Sequence, residues 1–140
     1  YIIGDFGTQP NIGHDQFYFE QRNMVLDCRV PDGVRIHPSA VLSVDDKILT
    51  LSHRSREGGN GTLVERPVEI GAEAWIGANV TLYNCTIGQH SVVGIGSVVA
   101  SRDVPENCMV EGNPAQIIAR FDGQRWNYLV EPEPLPTRRK

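Results

Sequence analysis

Four histidines (positions 14, 37, 53 and 90) and three cysteines (28, 85 and 108) are the side chains of this 140-residue chain best suited to chemistry. A three-histidine zinc centre needs two of its ligands close in sequence, and none of the four histidines stands near another. The cysteines are odd in number, widely spaced and in no CxxC pair. They read as small buried or turn residues of a reducing compartment rather than as metal ligands. None has an evident base or cation beside it to activate the thiol as a nucleophile. No metal is therefore expected. His53 differs from the rest, because it opens a charged, glycine-rich stretch, residues 53–66 (HRSREGGNGTLVER). A neutral imidazole with a pKa near 6.5 is matched to taking a proton near neutral pH, a role worth roughly 10²–10⁴ in rate. His14, His37 and His90 occupy positions where polar residues are routine, and read as structural or merely exposed.

What positions these residues is a sixfold beat. An aliphatic residue, usually followed by a small one, recurs at Ile70-Gly71, Ile76-Gly77, Leu82-Tyr83, Ile87-Gly88, Val93-Gly94 and Val99-Ala100. Small or β-branched residues follow four places after most of these aliphatics: Ala74, Val80, Thr86, Ser91 and Ser97. Neither the helical period of 3.6 nor the strand period of 2 gives this pattern. A parallel β-helix does, if each hexad is a short strand plus a corner and three hexads make one triangular turn. The leading residue of each hexad must then be aliphatic because it fills the interior, and glycine suits a corner whose backbone tolerates little bulk. The beat runs upstream through Phe6, Ile12, Tyr18, Met24, Val30, Ile36, Leu42 and Ile48, most securely from Val30 to Ile48. Two interruptions are expected: the 53–66 stretch as a loop leaving the coil, and a hexad shortened to five between Leu82 and Ile87 at Asn84-Cys85-Thr86.

Composition sets limits. The length suits one domain with a real core. A net charge of -4 and a pI near 5.5 argue against a nucleic-acid footprint. No apolar run approaches membrane-spanning length and no signal peptide is visible, so no membrane partner is expected. The chain opens at Tyr1 rather than Met, which suggests that an N-terminal segment is absent. Residues 1–121 are expected to form the repeat domain. Residues 122–140 lose the beat, carry EPEPLP, and read as an irregular, loosely docked tail.

Several segments carry a family resemblance. They are DFGTQPNIG (5–13), FYFEQRNMVLD (17–27), His53 ahead of its long loop, PVEIGAEAWIGANV (67–80), SVVGIGSVV (91–99) and GNPA (112–115). Together they resemble the hexapeptide-repeat acyltransferases, most of all the maltose and galactoside O-acetyltransferases. The resemblance covers roughly residues 4 to 120. It implies an all-β fold, a left-handed parallel β-helix, and a cytoplasmic homotrimer whose sites need residues from two chains. It further implies transfer of acetyl from acetyl-coenzyme A to a hydroxyl of a sugar or related small molecule, with His53 as the general base.

Within that resemblance Asp27 and Thr8 match acceptor-contacting positions, and Glu20 replaces an asparagine that holds the acceptor or acetyl group. A carboxylate accepts hydrogen bonds only, so Glu20 changes recognition and proton accounting. Trp75 matches a tryptophan beside the pantetheine arm. Gly77, Ala78, Ile95, Gly96 and Ala100 match the channel for that arm. Two basic residues usually follow the GNPA element and bind the nucleotide phosphates. Their places are taken by Gln116 and Ala119, leaving Arg120 as the nearest cation, with Arg102 or Arg125 as substitutes. Those departures leave room for two alternatives: a non-catalytic trimeric scaffold, or an N-acetyltransferase or antibiotic acetyltransferase of the same fold.

Overall fold

Each hexad has two or three residues left for a strand once its corner is made, and the computed structural model shows strands of that length. It describes residues 2–3, 23–27, 29–30, 32–56 and 59–138, with the backbone alone at 2–3 and 52–63. In chain order, β1 (Ile2–Ile3), β2 (Val25–Asp27), β3 (Val34–Ile36), β4 (Val41–Leu42) and β5 (Lys47–Leu49) lead into the excursion. The excursion is β6 (Leu51–Arg56) and β7 (Gly59–Glu65). The coil resumes with β8 (Val68–Ile70), β9 (Trp75–Ile76), β10 (Thr81–Tyr83), β11 (Cys85–Ile87), β12 (Val92–Val93) and β13 (Val98–Ala100). It ends with β14 (Cys108–Gly112), β15 (Ala115–Phe121) and β16 (Trp126–Pro134).

These strands make three faces of a parallel β-helix. The first has the order β1-β2-β5-β10-β13, the second β11-β8-β3, and the third continues β4-β9-β12-β14 into β15 and β16. The leading aliphatics stack in register: Ile48, Leu82 and Val99 on the first face, and Leu42, Ile76, Val93 and Val110 on the third. All are buried, each contributing about 1.5–3 kcal/mol. Ser91 and Ser97 lie inside too, and their hydroxyls donate to the carbonyls of Gly88 and Gly94 at 2.6 and 2.7 Å.

Three expectations change in detail. The hexad shortened to five is no local defect: from Ile70 onward partners in successive coils are 17 residues apart, as for Thr86 and Asp103, so each full turn there is six, six and five. The five-residue step falls between the first and second faces, where a single residue with positive φ turns the chain: Asn84 (φ 49°) in one coil and Ser101 (φ 53°) in the next. The glycines that directly follow the leading aliphatics, Gly71, Gly77, Gly88 and Gly94, serve close approach rather than an unusual φ, whereas Gly96 has φ 72° and open space around it. A Cβ on Gly88 would sit 2.5 Å from the Glu106 amide nitrogen, and one on Gly77 2.9 Å from that of Ile95.

The third change is the C-terminal stretch, expected to be irregular and loosely docked. β16 pairs antiparallel with β15, Leu135 is buried in the core, and Arg138 is held by three hydrogen-bonded side chains. The beat disappears there because the chain leaves the coil for antiparallel pairing, in which no side chain has to fill a triangular interior at every sixth place. Among the described residues no helix is long and apolar enough to cross a membrane.

Candidate active site

The stretch opened by His53 is an antiparallel hairpin rather than an unstructured loop. It leaves the coil at the corner between the first and second faces, directly after Thr50. Leu51 pairs with Glu65, Ser52 with Val64 and His53 with Leu63. Its base is closed by the Arg66 amide, which donates to the Thr50 carbonyl at 2.6 Å. Thr50 is itself fully buried. Its amide donates to Asp27 Oδ2 at 3.1 Å and its hydroxyl to the Asp27 carbonyl at 3.0 Å.

Asp27 lies one coil below, with no solvent-accessible surface. Arg29 grips its carboxylate from Nε to Oδ1 and from Nη2 to Oδ2, both at 2.7 Å. The Arg29 amide adds a longer contact to Oδ1 at 3.3 Å. Burial alone would raise this carboxyl's pKa; the Arg29 side chain and the Thr50 and Arg29 amides outweigh it and hold the pKa below the ordinary aspartate value. Both oxygens are thus engaged from within the chain. Thr8 and Glu20 lie outside the described residues, and for His53 the description ends at the backbone.

The residues expected along a coenzyme channel lie on the third face, at the corner that follows it and on the first face. Trp75 projects from the start of its third-face strand, 60% exposed. It lines a groove of about 470 Å³ with Ser39, Glu73, His90, Val92 and Trp126. In that groove His90 stacks on Trp126 (ring centroids 5.7 Å, planes 14° apart) and its Nδ1 lies 3.0 Å from Asn107 Oδ1. Gly77 and Ala78 meet Ile95 and Gly96 at the next corner, where the Gly96 amide donates to the Ala78 carbonyl at 2.9 Å. Ile95 is 75% exposed there. Ala100 stands at the far end of the first face. Arg120, the expected phosphate contact, is paired with Glu133 at 2.6 Å. Arg102 donates to the Leu135 carbonyl at 3.0 Å, Gln116 is exposed and Ala119 is buried.

Comparison with known proteins places this geometry in context. No family model matches the chain. It is 32% identical to the galactoside O-acetyltransferase of Escherichia coli (strain K12) over 134 residues, 93% of this chain and 63% of the relative. A maltose O-acetyltransferase from Clostridium difficile 630 superposes with a TM-score of 0.65 at 28% identity, over 87% of this chain and 64% of the other. A hexapeptide-repeat acetyltransferase from Vibrio cholerae O1 biovar eltor, complexed with acetyl-coenzyme A, gives 0.58 at 28%, over 85% and 64%. In sequence and fold the chain is similar to these hexapeptide-repeat acetyltransferases. Its fold is the left-handed parallel β-helix of these relatives, and it spans a little under two thirds of their length.

Several residues of this candidate site escape a reading of the sequence. Thr50 looks like one β-branched residue among many, although it immediately precedes the excursion. Arg29 lies in a segment that reads only as an irregular corner. Trp126 sits in the stretch that reads as a tail, and a tryptophan there is the one available signal. Cys85 and Cys108 are free and buried, as expected, and burial pushes the Cys85 thiol up to about 12, far from a nucleophile's range. Cys28 is outside the described residues. Among the described residues no group of histidine, cysteine and carboxylate side chains could hold a metal ion.

Proposed function

We propose that this chain transfers acetyl from acetyl-coenzyme A to a hydroxyl of a sugar or related small acceptor. The observation that carries the reading is the identity with a galactoside O-acetyltransferase across 93% of this chain. The imidazole of His53 takes the proton of the acceptor hydroxyl as its oxygen attacks the thioester carbonyl. The new C–O bond forms, the C–S bond breaks, and the imidazolium returns its proton to the departing thiolate. The products are the acetyl ester and free coenzyme A. Transfer is direct, in a ternary complex, because the buried thiols offer no activated nucleophile.

The active species is a cyclic homotrimer in the cytoplasm. Support comes from Trp75 and Ile95, which stand 60% and 75% exposed on one chain. A second copy would bring such patches together across a cleft. Thr8 and Glu20 complete the acceptor side, and the trimer cleft supplies the phosphate contacts that the paired Arg120 does not.

The test is release of free thiol from acetyl-coenzyme A across a panel of sugars, amino sugars and hydroxylated antibiotics. A sugar should give the highest kcat/KM. On that acceptor His53→Ala should lower kcat at least about a hundredfold with little change in coenzyme affinity. Retained turnover in the variant would make His53 a bystander.

A further inference from the structure

We propose that Asp27 is a positioning residue, which sets the direction of the His53 hairpin through Thr50 and does not bind the acceptor. The inference rests on the acetyl-transfer reading for its catalytic consequence, but its structural part stands on geometry alone. A carboxylate that contacts an acceptor hydroxyl must present a free lone pair to the site. Asp27 is wholly buried, and Arg29 and the Thr50 amide occupy both of its oxygens at 2.7–3.1 Å. What Asp27 holds is the residue from which the hairpin starts.

Thr50 works as a three-way joint. Its amide and hydroxyl fasten it to Asp27 in the coil below, and its carbonyl receives the Arg66 amide where the hairpin returns. Both legs of the hairpin are therefore referred to one buried point. From there the backbone runs as regular β-ladder to His53, paired with Leu63. In a ladder the direction of a strand is fixed by its first bonds, so a tilt at Thr50 is carried to His53 three residues on. A displacement of about 1 Å at a catalytic group can cost roughly a hundredfold in rate. Arg29 completes the device by neutralising the buried carboxylate that would otherwise be left uncompensated.

The experiment combines amide exchange with steady-state transfer in Asp27→Asn, Thr50→Val and Thr50→Ser. In Asp27→Asn, exchange across residues 50–66 should quicken about tenfold, while coil amides such as Leu82 and Val99 keep their protection. The kcat should fall about a hundredfold with acceptor KM within about threefold of wild type. Thr50→Val should move in the same direction by less, and Thr50→Ser, which restores the hydroxyl, should return both readouts to near wild type. Unchanged hairpin exchange in Asp27→Asn and Thr50→Val overturns the proposal. So does a rise in acceptor KM with kcat intact, the mark of direct acceptor binding. If Asp27→Asn fails to fold, the Thr50 pair decides alone. If the wild-type protein transfers acetyl to no acceptor, the transfer reading falls, and the exchange data still judge the joint.

Discussion

Asp46 should make this protein less stable as pH rises from about 4 to 7, the opposite of what a buried, salt-bridged aspartate does. It occupies the interior corner position where Ala40, Ala74 and Val80 stand elsewhere, and it is 1% exposed. Its oxygens accept from the Val80 amide at 2.9 Å and the Ser43 amide at 3.1 Å. Burial raises its pKa from 3.8 to about 7 against the lowering effect of those two amides and of Lys47. The folded state thus holds a proton that the unfolded chain gives up near pH 4. Below that pH both states are protonated and nothing is lost. Between the two pKa values each pH unit removes about 1.4 kcal/mol, some 4 kcal/mol in all, and above pH 7 the loss levels off. The assay is urea unfolding of wild type and Asp46→Asn at fixed protein concentration from pH 4 to 8. Asparagine turns an amide group toward one of the two N–H donors, so the variant carries a fixed offset; the pH dependence of the difference isolates the carboxyl. Relative to the variant, wild type should weaken by about 4 kcal/mol between pH 4 and 7. A difference that stays flat over that range refutes the reasoning, because the carboxyl would then ionise alike in both states.

Two further outcomes are expected. Gly88→Ala should cost about 1–3 kcal/mol in thermal or urea unfolding, since the new methyl meets the 105–106 backbone of the next coil at 2.5–2.7 Å; an unchanged midpoint would mean that the coils are looser than the structure has them. Arg138→Ala removes the bond to Thr86 Oγ1 at 2.6 Å and the ion pair with Asp103 at 3.0 Å, and should free residues 135–138 without loosening β10 or β13, read as faster amide exchange in that segment alone.

The coil is legible in the sequence because a narrow triangular interior admits one aliphatic side chain per face. Ile70, Ile76, Leu82, Ile87, Val93 and Val99 announce it unaided. The step of five is visible at Leu82–Ile87 and again at Val99–Val104, but only register between coils reveals it as a rule. The site is less legible. His53 stands out by its place before an interruption, whereas the donors around Asp27 stay hidden, because a sequence does not show which groups surround a carboxylate. Arg120 looks like a free cation for the same reason, with Glu133 thirteen residues away on a strand that breaks the pattern. Trp126 and Arg138 are lost with it, since a beat of six says nothing about antiparallel pairing.

A stack of parallel coils has no natural end: the last strand offers its amides and carbonyls to whatever comes next, which is how solenoids become filaments. Here growth on the third face is turned aside. β15 reverses direction against β14, and β16 lies outermost with Tyr128 and Val130 open to water. That rim would invite another chain to pair, but Pro132 and Pro134 interrupt its row of donors, and Glu131 puts negative charge just ahead of them. The EPEP run is a stop signal for polymerisation, and replacing its prolines with β-branched residues would turn a terminated coil into a template.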